Sequence, residues 1–152
     1  MKKLRLTILA ISATMFASSA SAFDPADLKN LLDTNECVRC DLREAFLPNT
    51  SLNSANLISA NLYKANLSGA YLEGADLSRA HLSGANLIRA NLSGANLSGT
   101  NLKGADLFMT NLKGADLSGA NLSDATLDYA IMNSIILCNT TMPDGSVIYS
   151  GC

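Results

Sequence analysis

The sequence predicts an all-β solenoid, a chain wound in stacked coils around a core of leucine and alanine. Three observations predict it. Residues 40 to 139 divide into 20 blocks of five without insertion, and the third residue of every block is Leu except for Met132. The first residue is Ala in 15 of those blocks, and the second is Asn or Asp in 13. The fifth is Gly in 8, a residue suited to a turn. A period of five fits neither a 3.6-residue helix nor an indefinitely straight strand. Within a block the first and third residues share a strand face, and the second and fourth point the other way. Ala and Leu therefore face in, while Asn/Asp and the Ser-rich fourth position face out. A turn at each block's end keeps the next block in phase. Such a chain winds about its own Leu/Ala axis, each coil stacking on the last.

The composition agrees with that order. The 152 residues include 25 Leu, 21 Ala, 17 Ser and 15 Asn, but no Trp, one His and eight aromatic residues. The length suits one domain. One His makes His-based metal and acid–base systems improbable. So few aromatics argue against a conventional mixed core, and a net charge of −2 argues against a basic nucleic-acid binder.

Residues 1–22 are expected to be a cleaved signal peptide. Lys2, Lys3 and Arg5 precede an apolar run from Leu6 to Ala17, and Ala20-Ser21-Ala22 offers small residues where a signal peptidase reads. The run is too short to span a bilayer. No Cys stands at the cleavage point, and no other long apolar stretch follows. The expectation is an exported bacterial protein, periplasmic or extracellular, beginning at Phe23 and without membrane insertion after cleavage. It keeps 8 Lys and Arg against 13 Asp and Glu, a net charge of −5.

Residues 23–39 are expected to cap the array. Asp24-Pro25-Ala26-Asp27 reads as an N-cap followed by Pro at the first helical position. Leu28, Leu31 and Leu32 form an apolar stripe at helical spacing, which predicts a short helix over about 25–33. Covering the first coil, it would keep an open sheet edge from pairing with other chains. Cys37 and Cys40 form a C-x-x-C. A redox role needs a thioredoxin-like βαβ context, which is absent. The structural reading is a disulfide that pins the helix to the first coil.

Residues 40–139 are the array, with an inward ladder of Leu57, Leu62, Leu67, Leu72, Leu77, Leu82, Leu87, Leu92 and Leu97 through its centre. Residues 140–152 form a capping tail. Pro143-Asp144-Gly145 signals a turn between Cys138 and Cys152. Val147, Ile148 and Tyr149 are expected to fold back over Ile131, Met132 and Ile136.

Runs such as Ala90-Asn91-Leu92-Ser93-Gly94-Ala95-Asn96-Leu97-Ser98-Gly99 resemble the pentapeptide repeat family, whose pattern is A(D/N)LXX. The resemblance covers 100 of the 130 residues after the signal. It implies a right-handed quadrilateral β-helix with four blocks per coil, hence five coils. Departures fall at the ends, at Phe46, Pro48 and Ser51 and at Thr126, Ile131, Met132, Ile135 and Ile136, where atypical capping units belong. On the implied coil count, Cys40 and Cys138 stand four rises apart, about 19 Å at about 4.8 Å each. A disulfide needs a Cα separation of about 4.4–6.8 Å. The pairing that fits is Cys37–Cys40 with Cys138–Cys152, and a single four-cysteine zinc site within a monomer is excluded.

Four blocks per coil also sort the outward residues into columns. His81 faces out two residues before Ser83, with Asn61 and Asp41 beneath it. Asp41 is then two coils, about 10 Å, from His81, beyond hydrogen-bond reach. A convex wall offers no substrate pocket either. Asp76 and Asp116 alternate with Asn56 and Asn96, spreading oxygens that a calcium site would converge. Asn and Ser ladders are expected to bond coil to coil. No catalytic residue, metal or cofactor is expected.

One column breaks the polar rule. Ile88 and Phe108 hold its fourth position, Met109 and Tyr129 stand beside them at the fifth, and Phe46 lies lower on the same wall. Adjacent apolar residues of this kind suggest a contact strip for a protein partner or a second copy. The Ile131/Ile136 end would serve self-association instead if the tail left it open. Triplets such as Asn49-Thr50-Ser51 are by-products of the repeat in a bacterial chain. The reading is an exported, non-enzymatic structural scaffold or protein-interaction module that binds no nucleic acid. One alternative is a DNA mimic that protects DNA gyrase, as some members of the resembled family do. Its coils carry 8 acids and 6 bases, too weak a field to imitate DNA, and export would part it from gyrase. The other alternative is a C-x-x-C redox protein.

Overall fold

Each block of five has five backbone N–H groups to satisfy. In the computed structural model, which describes residues 22–152, the block from Asn61 to Ala65 shows how. Asn61 N–H donates to Cys40 O of the preceding circuit at 2.8 Å. Leu62 and Lys64 donate forward, to His81 O at 2.8 Å and Ser83 O at 3.0 Å. Ala65 N–H closes a turn onto Leu62 O at 3.0 Å. The remaining N–H, of Tyr63, is taken by Asn61 Oδ1 at 3.2 Å. Parallel bridges run Asp41–Asn61–His81–Asn101–Asn121–Thr141, so the chain returns to the same column every twenty residues. Four blocks make one circuit and give the solenoid four walls. The signal expected at residues 1–22 lies, except for Ala22, outside the described residues.

The fifth residue of each block is the third residue of its turn and takes a positive φ. That costs Gly104 little at φ +63. Arg79, Arg89, Met109 and Tyr129 take the same left-handed backbone with φ of 56 to 59, where a Cβ is crowded.

The inward third positions form the core. The ladder from Leu57 to Leu97 is fully buried, and so are the Ala residues that flank it at first positions. Thr100, Thr110 and Thr140 replace Ala at three corners. Their buried hydroxyls donate to Leu77 O, Leu87 O and Leu117 O at 2.7–2.8 Å. Each of those carbonyls already closes a turn, and a carbonyl has two lone pairs to offer.

At the N-terminal end lies α1, Pro25–Thr34, one residue longer than the stripe predicts. Asp24 caps it by accepting from Ala26 N–H at 2.8 Å. Leu31 is fully buried within the core cluster. Asp27 Oδ2 accepts from Asp41 N–H at 2.8 Å, and Asn30 Nδ2 donates to Glu36 O at 2.6 Å. The first bridge joins Glu36 to Asn56, so the ladder starts one block before residue 40. That block has Asn35 where Ala belongs and Cys37 where Leu belongs, which hides it from a Leu/Ala pattern. Cys37 is disulfide-bonded to Cys40, with 5.2 Å between Cα atoms.

At the C-terminal end the last bridge joins Asn121 to Thr141. The two-residue strand β1, Thr140–Thr141, pairs antiparallel with β2, Val147–Ile148. A disulfide from Cys138 to Cys152, with Cα atoms 4.8 Å apart, ties down the final residue. The tail covers less than the sequence suggests, for Ile131 stays 48% exposed and Ile136 40%. Register is the reason. β2 lies beside the column of Asn121 and Thr141, whereas Ile131 stacks on Asn111, two blocks further round the circuit.

Candidate partner-contact ridge

On the wall of Asn66, Asn86 and Asp106, backbone bonds fix three outward pairs one above another. Arg89 N–H donates to Phe108 O at 2.9 Å, and Met109 N–H to Asp128 O at 3.0 Å. The pair Ile88–Arg89 therefore lies under Phe108–Met109, which lies under Asp128–Tyr129. All six are turn residues, so they form a ridge where one wall meets the next. Asn86 Oδ1 and Asp106 Oδ1 accept from the backbone N–H groups of Ile88 and Phe108, both at 3.1 Å, which fixes the turns that carry those side chains. Phe108 meets Tyr129 edge-on with ring centroids 5.6 Å apart. Ile88 and Phe108 are half-buried, whereas Met109 is 41% and Tyr129 78% exposed.

The structure thus brings Ile88, Phe108, Met109 and Tyr129 together, but not Phe46. Phe46 pairs with Asn66, and a circuit carrying Asn66, Ser68 and Gly69 separates it from Ile88. Sequence reasoning missed Arg89 and Asp128, the two charges within the ridge. Both are exposed, and neither has an ion-pair partner among the described residues. The signal was present, because both sit in the same fourth- and fifth-position columns as the apolar four.

Elsewhere the outward groups are occupied or dispersed. Arg43 holds Asp41 through Nε at 2.8 Å and Nη2 at 2.7 Å. That hydrogen-bonded guanidinium keeps the Asp41 carboxyl below the usual carboxylate range, against a smaller opposing effect of burial. Bridges place Asn61 between Asp41 and His81. Glu36, Asn56, Asp76, Asn96 and Asp116 alternate acid and amide up one column. Among the described residues no three His, Cys, Asp or Glu side chains gather as a metal site. Cys37 and Cys40 are buried, 1% and 6% exposed, so neither sulfur is presented for exchange. An open groove of about 580 Å³ crosses another wall, lined by Gly74, Gly94 and Gly114 with Glu73 and Lys113. No helix among the described residues is long and apolar enough to cross a membrane.

The Asn columns act differently from the coil-to-coil ladder expected of them. Each amide oxygen mostly accepts from the N–H two residues later in its own block, as Asn96 does from Ser98 at 3.1 Å. The fourth N–H has no backbone partner and claims that oxygen first. Bonds between circuits survive at Asn111–Asn91 and Asn56–Glu36, at 3.1 and 2.8 Å. Where Tyr71 takes the second position, Glu73 N–H turns to Asn53 Oδ1 of the circuit before, at 3.0 Å.

Block geometry of this kind defines a class of protein, and comparison with known sequences agrees. The model of pentapeptide repeats matches in eight copies over residues 36–74, 70–107 and 105–142. The chain belongs to the pentapeptide repeat family, whose members form right-handed quadrilateral β-helices. It is similar to HetL, a pentapeptide repeat protein involved in heterocyst differentiation regulation from the cyanobacterium Nostoc sp. strain PCC 7120. The two are 33% identical over 74% of this chain and 68% of that one, with a TM-score of 0.36. A pentapeptide repeat protein from the cyanobacterium Cyanothece is 30% identical over 72% of this chain and 92% of its own, with a TM-score of 0.39. QnrB1, a plasmid-mediated fluoroquinolone resistance protein, is 12% identical over 70% of this chain and 69% of its own, with a TM-score of 0.36. No curated protein matches the chain.

Proposed function

We propose that this is an exported, non-enzymatic scaffold of five coils, closed at its N-terminal end by α1, that binds a protein through the ridge of Ile88, Phe108, Met109 and Tyr129. The observation that carries the reading is the contiguity of the four side chains on adjacent circuits: Phe108 meets Tyr129 with ring centroids 5.6 Å apart, and Met109 and Tyr129 are 41% and 78% exposed. Exposed apolar side chains gathered in this way mark an interaction surface. The ridge's one cation, Arg89, is matched by one anion, Asp128, which leaves no net positive charge to attract nucleic acid or anionic lipid, so the apolar surface suits a protein best.

The test is capture from the periplasmic fraction with the wild-type protein and Phe108→Ser. Loss of one captured protein, or of self-association, in the variant supports the ridge as the contact surface. The same captured set and the same sedimentation for both proteins would remove it. N-terminal sequencing of the periplasmic protein checks export, with Phe23 expected first. Protein retained in the cytoplasm with residues 1–22 attached would overturn that part.

A further inference from the structure

We infer that the occupant of this ridge is a second copy of the same chain, docked antiparallel about a two-fold axis that crosses the ridge at Phe108 and Met109. The inference rests on reading the ridge as a contact surface and adds what covers it. The Ile131/Ile136 end is also left open by the tail, but residues 130–142 carry no charged side chain that would set the orientation of a second copy. Three levels, one circuit apart, make up the ridge: Ile88–Arg89, Phe108–Met109 and Asp128–Tyr129. The cation stands one circuit below the apolar centre and the anion one circuit above, each about 4.8 Å away. A two-fold axis lying across the ridge in the contact plane exchanges those outer levels. It sets Arg89 of each copy level with Asp128 and Tyr129 of the other, and stacks the two Phe108–Met109 pairs at the centre.

That arrangement forms two ion pairs between copies from charges that have no ion-pair partner among the described residues of one. Arg89 at the level of Tyr129 also has an aromatic face within reach for a cation–π contact. A two-fold axis along the solenoid would instead set Arg89 level with Arg89 and Asp128 level with Asp128. Like charges so opposed disfavour it. The charge pattern is therefore self-complementary in the antiparallel sense only, as an isologous interface requires. Six side chains per copy fall short of the roughly 20–30 residues on each side of a stable interface. The dimer is accordingly weak and concentration-dependent.

Sedimentation equilibrium of the processed protein, from about 10 µM to about 1 mM, should show reversible dimerisation in keeping with a small interface. Arg89→Asp and Asp128→Arg should each weaken it about tenfold or more by opposing like charges. The double variant carrying both changes should dimerise again. An equimolar mixture of the two single variants should form a heterodimer, since both ridge carboxylates of one variant then face the ridge guanidinium groups of the other. Circular dichroism and melting of each variant confirm that the fold is kept. Wild type that stays monomeric to about 1 mM, beyond even a small interface's range, would overturn the inference, while capture of another protein would leave the ridge itself standing. Dimerisation lost in Phe108→Ser but indifferent to the charge exchange would also overturn the antiparallel arrangement.

Discussion

Asn96 shows why this sequence repeats an amide at the second position. Its Oδ1 accepts from both the N–H and the hydroxyl of Ser98, at 3.1 and 2.7 Å. Asn96→Ala leaves a half-buried N–H without a partner, and urea denaturation should show a loss of about 1 kcal/mol. Asn96→Asp keeps the acceptor and should lose less. At Asp41 the measurable quantity is a titration. Arg43 draws the carboxyl below its ordinary range, so NMR titration of Arg43→Gln should find that pKa raised towards the usual value. Because the folded pKa is depressed, the pair favours the fold above the unfolded pKa of about 3.9. That contribution disappears as pH falls through the folded pKa. The direction in which each side chain points was legible from the period of five. The duty of the Asn oxygen was not, because it depends on which backbone donor the turn leaves over. Burial at Leu92 follows from alternation, whereas the bond from Asn96 to Ser98 follows from turn geometry that letters alone do not display.

The same division holds for the elements. The start of α1 is written in Asp24 and Pro25, and its inner face in Leu31. The block from Asn35 to Arg39 was illegible, since it joins the ladder through backbone bonds such as Asn56 N–H to Asn35 O at 2.8 Å. Backbone bonding does not ask for Leu or Ala. In the C-terminal tail the turn at Pro143 was legible, and the wall on which β2 comes to rest was not. β2 pairs with the strand just before the turn, Thr140–Thr141, so the short hairpin and not the apolar face of Ile131 decides that wall. The Cys138–Cys152 disulfide closes a loop with a sequence separation of 14. In the chain-entropy account a loop of about 15 residues contributes about 3 kcal/mol. Cys138→Ser with Cys152→Ser should lower stability by up to that amount in urea denaturation, with increased amide exchange confined to residues 140–152. Exchange spread along the whole array would show instead that the tail secures more than itself.

For the whole molecule, the four-sided circuit makes surface pattern a matter of phase. Neighbours on a wall are twenty residues apart, and the bonds that join circuits are made by backbone groups indifferent to side chain. One extra block of Ala-Asn-Leu-Ser-Gly between Gly94 and Ala95 should therefore fold, with a far-ultraviolet spectrum close to wild type. Yet it turns everything beyond it by a quarter of a circuit. Ile88 and Phe108 would then lie on different walls, and Phe108 would rise above Ser93 instead. Self-association should vanish while melting changes little, which sedimentation and calorimetry can check on one sample. In most folds, gaining five residues changes a loop and spares the distant surface. Here the same small duplication works like turning one ring of a combination lock: each local letter survives, and the word they spelled together is gone.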